Sequence, residues 1–322
     1  MKEDLQLVVD TTNRIFADLC TSDVVDSAES GAFAAELWRT LEDNGLTQSG
    51  EYSFAVMREA ARYAAPLPLA ELFVVKSLLG DTELASGPVT IAVGEFDFDG
   101  QRLSGSASDV AFARWCDRVY VLSGNALYEV ASGSLVIEPA VNMAGEPRDH
   151  ISVDAEPLSV TPVGENAIGQ LKLSGAASRV VMMSGAMESA LSLAVDYAMT
   201  RQQFGRSISK FQAIQQQLAV LAGEVAASIR ATDALIMSDL SVTEVAIAKA
   251  RVGEACSQVC DIAHQVHGAI GYTLEHSLNQ RTRRLWCWRD EYGNERYWQE
   301  RLGQEFCLAG ADELWTSITR YG

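Results

Sequence analysis

Positive charge is scarce in this chain of 322 residues: 25 lysines and arginines stand against 43 aspartates and glutamates, a formal net charge of −18. Nucleic acid and anionic membrane surfaces both require a positive face that releases counterions, so neither is expected as a partner. Any phosphate bound here must be met by a few local cations. Long apolar runs are missing too, with no stretch of about 18 apolar residues that would span a bilayer. The opening MKEDLQLVVDTTNRIFADLC lacks a basic segment ahead of an apolar one, and the expected location is the cytoplasm. There is no G-x-G-x-x-G after a strand, no G-x-x-x-x-G-K-[ST] and no G-x-S-x-G elbow, which removes the dinucleotide fingerprint, the P-loop and the α/β-hydrolase nucleophile.

Cysteine does not form a compact framework. Cys20, Cys116, Cys256, Cys260, Cys287 and Cys307 are scattered through a large acidic chain, so reduced thiols are expected. Cys256, Cys260, His264 and His267 fall at nearly helical spacing, but one straight helix offers two ligands at i and i+4 and cannot wrap four around a tetrahedral ion. No metal site is expected from them.

What is present is apolar material, 48% of residues, enough for two or three cooperating domains. The pattern divides the chain into a helical domain over 1–85, a shortened β domain over 86–165 and a long-helix bundle over 166–322. In the first, FAAELWRTLEDNGL and FAVMREAARYAA repeat at helical period, with a break at Pro66 and Pro68. In the second, PVTIAVG, RVYVLS, ALYEVAS, SLVIEP and HISVDA read as short strands of an antiparallel sheet or small barrel. In the third, Val181, Met183, Met187, Ala190, Leu191, Ala194 and Ala198 stripe one helix, and Phe211, Ile214, Leu218, Leu221, Val225 and Ile229 a second. Ser241 and Glu244, spaced as a capping box, open a third that carries Val245, Ala248, Val252, Ala255, Val259 and Ile262. Helices of this length suggest a bundle that is also an oligomer interface. The fold class is α+β.

Two motifs punctuate the bundle: Arg201-Gln202-Gln203-Phe204-Gly205 after the first helix, and Gln265-Val266-His267-Gly268-Ala269-Ile270-Gly271-Tyr272 after the third. Alone, Arg201 fits a cation at a helix C-terminus, and Gly268 and Gly271 fit a helix stop. In this order, behind an α–β–α succession, R-x-x-F-G and Q-x-x-G-x-x-G resemble the acyl-CoA dehydrogenase family. The resemblance implies FAD as cofactor, with Arg201 on the pyrophosphate of an FAD held mainly by a neighbouring subunit. It further implies Gln203 and Phe204 beside that cofactor, and Gln265 with Gly268 on its adenosine diphosphate half. Elementary chemistry agrees: a guanidinium forks onto phosphate oxygens, and glycine lets a backbone approach a ligand closely.

In the family a carboxylate removes the α proton of an acyl-CoA while the flavin takes a hydride from the β carbon, so the protein must supply a base. Extended without gaps from Gly268, the family's usual Glu-Gly pair falls on Tyr292-Gly293, and a phenol with a pKa near 10 is poorly matched to that task. The other family position for the Glu falls near Gly175. Both base positions lack a carboxylate, and Glu291 and Asp290 are the nearest candidates, within a charged run that also fits a set of local ion pairs. The Thr-Glu-Pro and Gly-Ser-Asp stretch that lines the flavin ring in the family is replaced by VTIAVGEFDFDGQRLSG. The resemblance therefore implies the short subunit of a heteromeric, α2β2 type of dehydrogenase, like those of bacterial steroid catabolism. A longer homologous partner would carry the acyl-CoA substrate and the catalytic Glu, and an electron-transfer flavoprotein would accept the electrons. The alternatives are a self-sufficient homotetramer using Glu291 or Asp290, and a non-catalytic interaction subunit.

Overall fold

The computed structural model describes residues 2–47, 50, 52–80, 82 and 84–320. The chain divides into two compact units, Met1–Gly175 and Ala176–Gly322.

The first unit begins with helices α1 (Lys2–Leu19), α2 (Ser22–Glu29), α3 (Ala35–Asp43), α4 (Ser53–Arg62) and α5 (Leu69–Leu79). α1 packs on α3 and α4. Phe16 of α1 is fully buried and stacks on Tyr63 with ring centroids 6.0 Å apart, while Asn13 donates to the Glu59 carboxylate at 3.0 Å. Pro66 and Pro68 separate α4 from α5, as a residue that cannot donate to the helical ladder must. α5 is apolar on nearly all sides and buried accordingly, and it packs against the first strand of the β region.

That region holds two four-stranded sheets. One orders β1 (Val89–Val93), β4 (Arg118–Ser123), β5 (Ala126–Ala131) and β8 (Ser159–Pro162); the other orders β2 (Glu95–Phe98), β3 (Leu103–Ala111), β7 (Arg148–Ala155) and β6 (Leu135–Glu138). The strand pairs are antiparallel except β1 with β4, which run parallel from Val89 opposite Arg118 to Val93 opposite Leu122. Between them, Leu103, Val110, Val119, Val121, Tyr128 and Ile151 form one apolar core. The acidic FDFDG segment is a β2–β3 hairpin. The Asp99 carboxylate accepts from the backbone amides of Gln101 and Arg102 and so fixes the turn.

α6 (Ala167–Thr200) is continuous across the boundary of the two units. After it, the second unit holds a small hairpin of β9 (Gln202–Gln203) and β10 (Arg206–Ser207), then α7 (Gln212–Ile236), α8 (Val242–His267), α9 (Leu278–Asp290), α10 (Glu295–Ala309) and α11 (Leu314–Arg320). α8 is the central helix of this unit and packs on α7, α9 and α10. The striping residues Val245, Ala248, Val252, Ala255 and Val259 are all buried. Ser241 caps α8 by accepting from the Glu244 amide at 3.4 Å, but the return arm of the capping box is not made: Asp239 takes the Ser241 amide at 3.1 Å instead. α7 differs from its neighbour. Leu221 and Val225 are buried, whereas Phe211, Ile214 and Leu218 on the same stripe remain partly open and Val220 is exposed.

Candidate functional site

The first motif lies at the end of α6. The Arg201 amide still donates to the Tyr197 carbonyl at 2.8 Å, so the helix carries the side chain out on its last turn. The chain then reverses in a two-residue hairpin, with Gln203 opposite Arg206 and both central residues left-handed, Phe204 at φ 53° and Gly205 at φ 77°. Glycine takes that conformation freely; phenylalanine does so only under strain. The ring is 90% exposed, touching Phe211 edge-on at 6.1 Å, and the Arg206 guanidinium covers Phe211 at 4.3 Å. Arg201 and Gln203 are exposed as well.

The second motif ends α8. Gly268, at φ 65°, donates its amide to the His264 carbonyl and stops the helix, and a Cβ placed on it would meet nothing within 4 Å. Its neighbour in the motif behaves differently. A Cβ on Gly271 would lie 2.9 Å from the His267 Cβ and 3.2 Å from the His264 Nδ1, so only glycine lets the turn Gly268–Tyr272 lie down on the two histidines. Gln265 points outward and is exposed. His267 stacks on Tyr197 of α6 with ring centroids 4.7 Å apart, which brings the two motifs to the same end of the unit. Arg201 thus follows one member of the stack by four residues and Gln265 precedes the other by two.

The region around the expected base is laid out at the other end of α9. Glu291 follows its last turn, Tyr292 takes φ 58° and Gly293 φ 97°. A Cβ at Gly293 would come within 2.7 Å of the Tyr297 ring, and the Trp298 indole donates to the Gly293 carbonyl at 3.2 Å. Glu291 accepts from the buried Arg179 of α6 at 2.5 Å, and the same guanidinium lies 5.6 Å from the Tyr292 ring centre. Lys249 of α8 is fully buried and donates to the carbonyls of Trp288 at 2.9 Å and Arg289 at 2.7 Å, the last open acceptors of α9. Burial, with Arg179 adding to it against the opposing pull of Glu291, lowers the Lys249 amine to about 7. Asp290 is exposed, and Gly175 is buried within α6. Sequence reasoning passed over Arg179 and Lys249. Their signal was a cation at a core-facing step of an apolar stripe, Lys249 falling between Val245 and Val252.

Of the cysteines and histidines at helical spacing, the free thiols of Cys256 and Cys260 are hydrogen-bonded to each other, and His264 and His267 turn toward the Gly268–Tyr272 segment. No group of three or more His, Cys, Asp or Glu side chains is placed to hold a metal ion among the described residues. Among them, too, no helix is long and apolar enough to cross a membrane.

The family model "Acyl-CoA dehydrogenase, C-terminal domain" matches residues 167–313. The acyl-CoA dehydrogenase IpdE2 of Mycobacterium tuberculosis is 30% identical over 235 residues, 70% of this chain and 68% of that protein. The chain belongs to the acyl-CoA dehydrogenase family. Of the other curated relatives, one matches over 40% of its own length and another over 26%, while the acyl-CoA dehydrogenase FadE27 of Mycobacterium tuberculosis, 27% identical, matches over 89%. Among solved structures, the ChsE4-ChsE5 complex from Mycobacterium tuberculosis aligns with TM-score 0.80 at 21% identity, over 97% of this chain and 98% of that one. The Tcur3481-Tcur3483 steroid acyl-CoA dehydrogenase, as a G363A variant, aligns with TM-score 0.83 at 20% identity, over 96% and 99%. These two likenesses concern the fold.

Members of this family are FAD flavoproteins. The exposed end formed by Arg201, Gln203, Phe204, Gln265 and Gly268 fits the adenosine diphosphate part of such a group. It offers a solvent-facing guanidinium for phosphate, an exposed ring for stacking, and open space above Gly268 for close approach.

Proposed function

We propose that this chain is one subunit of a heteromeric acyl-CoA dehydrogenase that removes hydrogen from the α and β carbons of an acyl-CoA thioester. It completes the FAD site of a homologous partner through Arg201, Gln203, Phe204, Gln265 and Gly268, and leaves the catalytic Glu to that partner. The observation that carries this reading is the occupation of the base position. Tyr292 stands where the family's Glu is expected, and the nearest carboxylate, Glu291, is engaged by Arg179. A carboxylate already held by a guanidinium is a poor acceptor for an α proton, because taking up that proton would cost it the ion pair. Bulky, steroid-derived CoA esters are the substrate class suggested by the paired steroid dehydrogenase of the same fold. An electron-transfer flavoprotein fits as the acceptor.

Purification of the chain alone, with its flavin absorbance read directly, tests the proposal. The expected outcome is substoichiometric FAD and no dye-linked acyl-CoA oxidation; full FAD and turnover by the lone chain would establish the homotetramer using Glu291 or Asp290. In a co-expressed complex, Arg201→Ala is expected to weaken FAD binding about tenfold to a hundredfold, the value of one charge-assisted contact of about 1.5–3 kcal/mol. Unchanged FAD content and turnover in that variant would leave only a scaffold role.

A further inference from the structure

Beneath the Gln265–Gly268 segment lies a cluster of imidazoles that the proposed function does not use. His264 and His267 are 9% and 3% exposed, and His276 is half-buried. His267 meets His276 edge-on at 4.6 Å and Tyr197 face-on at 4.7 Å, while His264 lies under Tyr272 at 4.2 Å.

The hydrogen bonds define each ring as neutral. His276 Nδ1 accepts from the Leu278 amide at 3.1 Å, so that nitrogen carries no proton. His267 Nδ1 lies 2.7 Å from the Ala263 carbonyl, which can only accept; the ring proton is therefore on Nδ1, and the buried Nε2 has no hydrogen-bond partner. His264 Nε2 meets the Thr282 hydroxyl at 2.9 Å, and that hydroxyl also reaches the Leu278 carbonyl at 3.3 Å. Whichever of the two donates, His264 Nδ1 is left buried, without a hydrogen-bond partner and facing Gly271. A proton added to His276 Nδ1 breaks its bond from the Leu278 amide, and one added to His264 Nδ1 puts a buried N–H against Gly271, whereas the Leu193 carbonyl partly offsets burial for one added to His267.

The surroundings act in the same direction. Burial lowers the pKa of all three, His267 further opposes protons on His264 and His276, and Arg281 of α9 opposes one on His276. Asp261 of α8 favours a proton on His264, and the Ala263 and Leu193 carbonyls favour one on His267. α6 adds the Tyr197 ring and the Gly268–Tyr272 turn adds Tyr272.

We propose that His264, His267 and His276 form a proton-controlled support: neutral, they hold the Gln265–Gly268 segment in shape, and protonated, they release it and the cofactor end it contacts. The cofactor part of this statement rests on the assignment of Gln265 and Gly268 as FAD contacts.

Hydrogen exchange of the full chain, read on peptides spanning 265–278 and corrected for intrinsic rates, tests the support without reference to flavin. Protection is expected to fall at least about tenfold between pH 7.5 and 5.5, the linkage of one pK unit. His276→Asn, which keeps an acceptor for the Leu278 amide but cannot titrate, is expected to reduce that fall, and His267→Phe combined with it to flatten the profile. An equally steep fall in the variants, or a flat profile in the wild-type chain, overturns the proposal. Flavin release from the loaded complex over the same range separates the two assignments. Segment loosening without pH-dependent release supports the support and removes Gln265 and Gly268 from the FAD site.

Discussion

Arg179 and Glu291 are separated by 112 positions in sequence, yet they make the contact that decides what the base region can do. Arg179 is buried to 3% exposure on its side chain, where the Glu291 carboxylate answers its charge. Replacing Glu291 with Gln removes the charge that Arg179 meets in this pair. The expected cost is about 3 kcal/mol, the lower end for breaking a buried pair because Glu291 is itself 22% exposed. Chemical denaturation measures it. In the co-expressed complex, turnover per bound flavin should be unaffected by Glu291→Gln; its loss would identify Glu291 as a base after all. The sequence revealed Glu291 as a candidate through its neighbourhood to Tyr292, and Arg179 as a cation on an apolar stripe, but not that the two would meet. Ion pairs across a fold have no period, and only the folded chain brings their members together.

At the scale of elements, Lys249 joins two helices. Its ammonium closes the C-terminal carbonyls of α9 from the middle of α8, a position where side chains are otherwise apolar. Because the amine titrates at about 7 when folded against 10.5 when free, the unfolded chain binds more protons between those values. Stability therefore rises with pH across that window and levels off above it. In Lys249→Met this slope should disappear from urea midpoints measured between pH 7 and 10; an unchanged slope would assign it to other groups. Long helices were the most legible elements of the sequence. α8 follows its predicted stripe and its Ser241 cap, since periodic burial and a local hydrogen bond are both written in adjacent residues. The parallel pairing of β1 with β4 was not legible, because strand direction depends on which distant strand fills the neighbouring place. The histidine cluster was half visible. His264 and His267 drew notice as ligand types, while His276 and Tyr197 joined them only through tertiary packing.

For the molecule as a whole, the two motifs that carried the family resemblance in sequence each present residues to solvent. Gly268 is open and Arg201, Gln203 and Gln265 face solvent. The first half of α7 keeps its apolar stripe partly open, in keeping with a chain that meets its complement outside itself. Phe204 shows the consequence most sharply. An aromatic residue in a left-handed turn, 90% exposed, is a local fault by the standards of a solitary protein, with a backbone penalty of about 1–2 kcal/mol and no burial in return. Phe204→Asn should therefore make the isolated chain more thermostable while weakening flavin retention in the complex. If the variant gains stability and loses no flavin, the ring has no role in assembly. In the isolated chain the hairpin thus keeps a strained backbone and an uncovered ring together, and under the proposed assembly a surface laid over that ring would offset the strain rather than remove it.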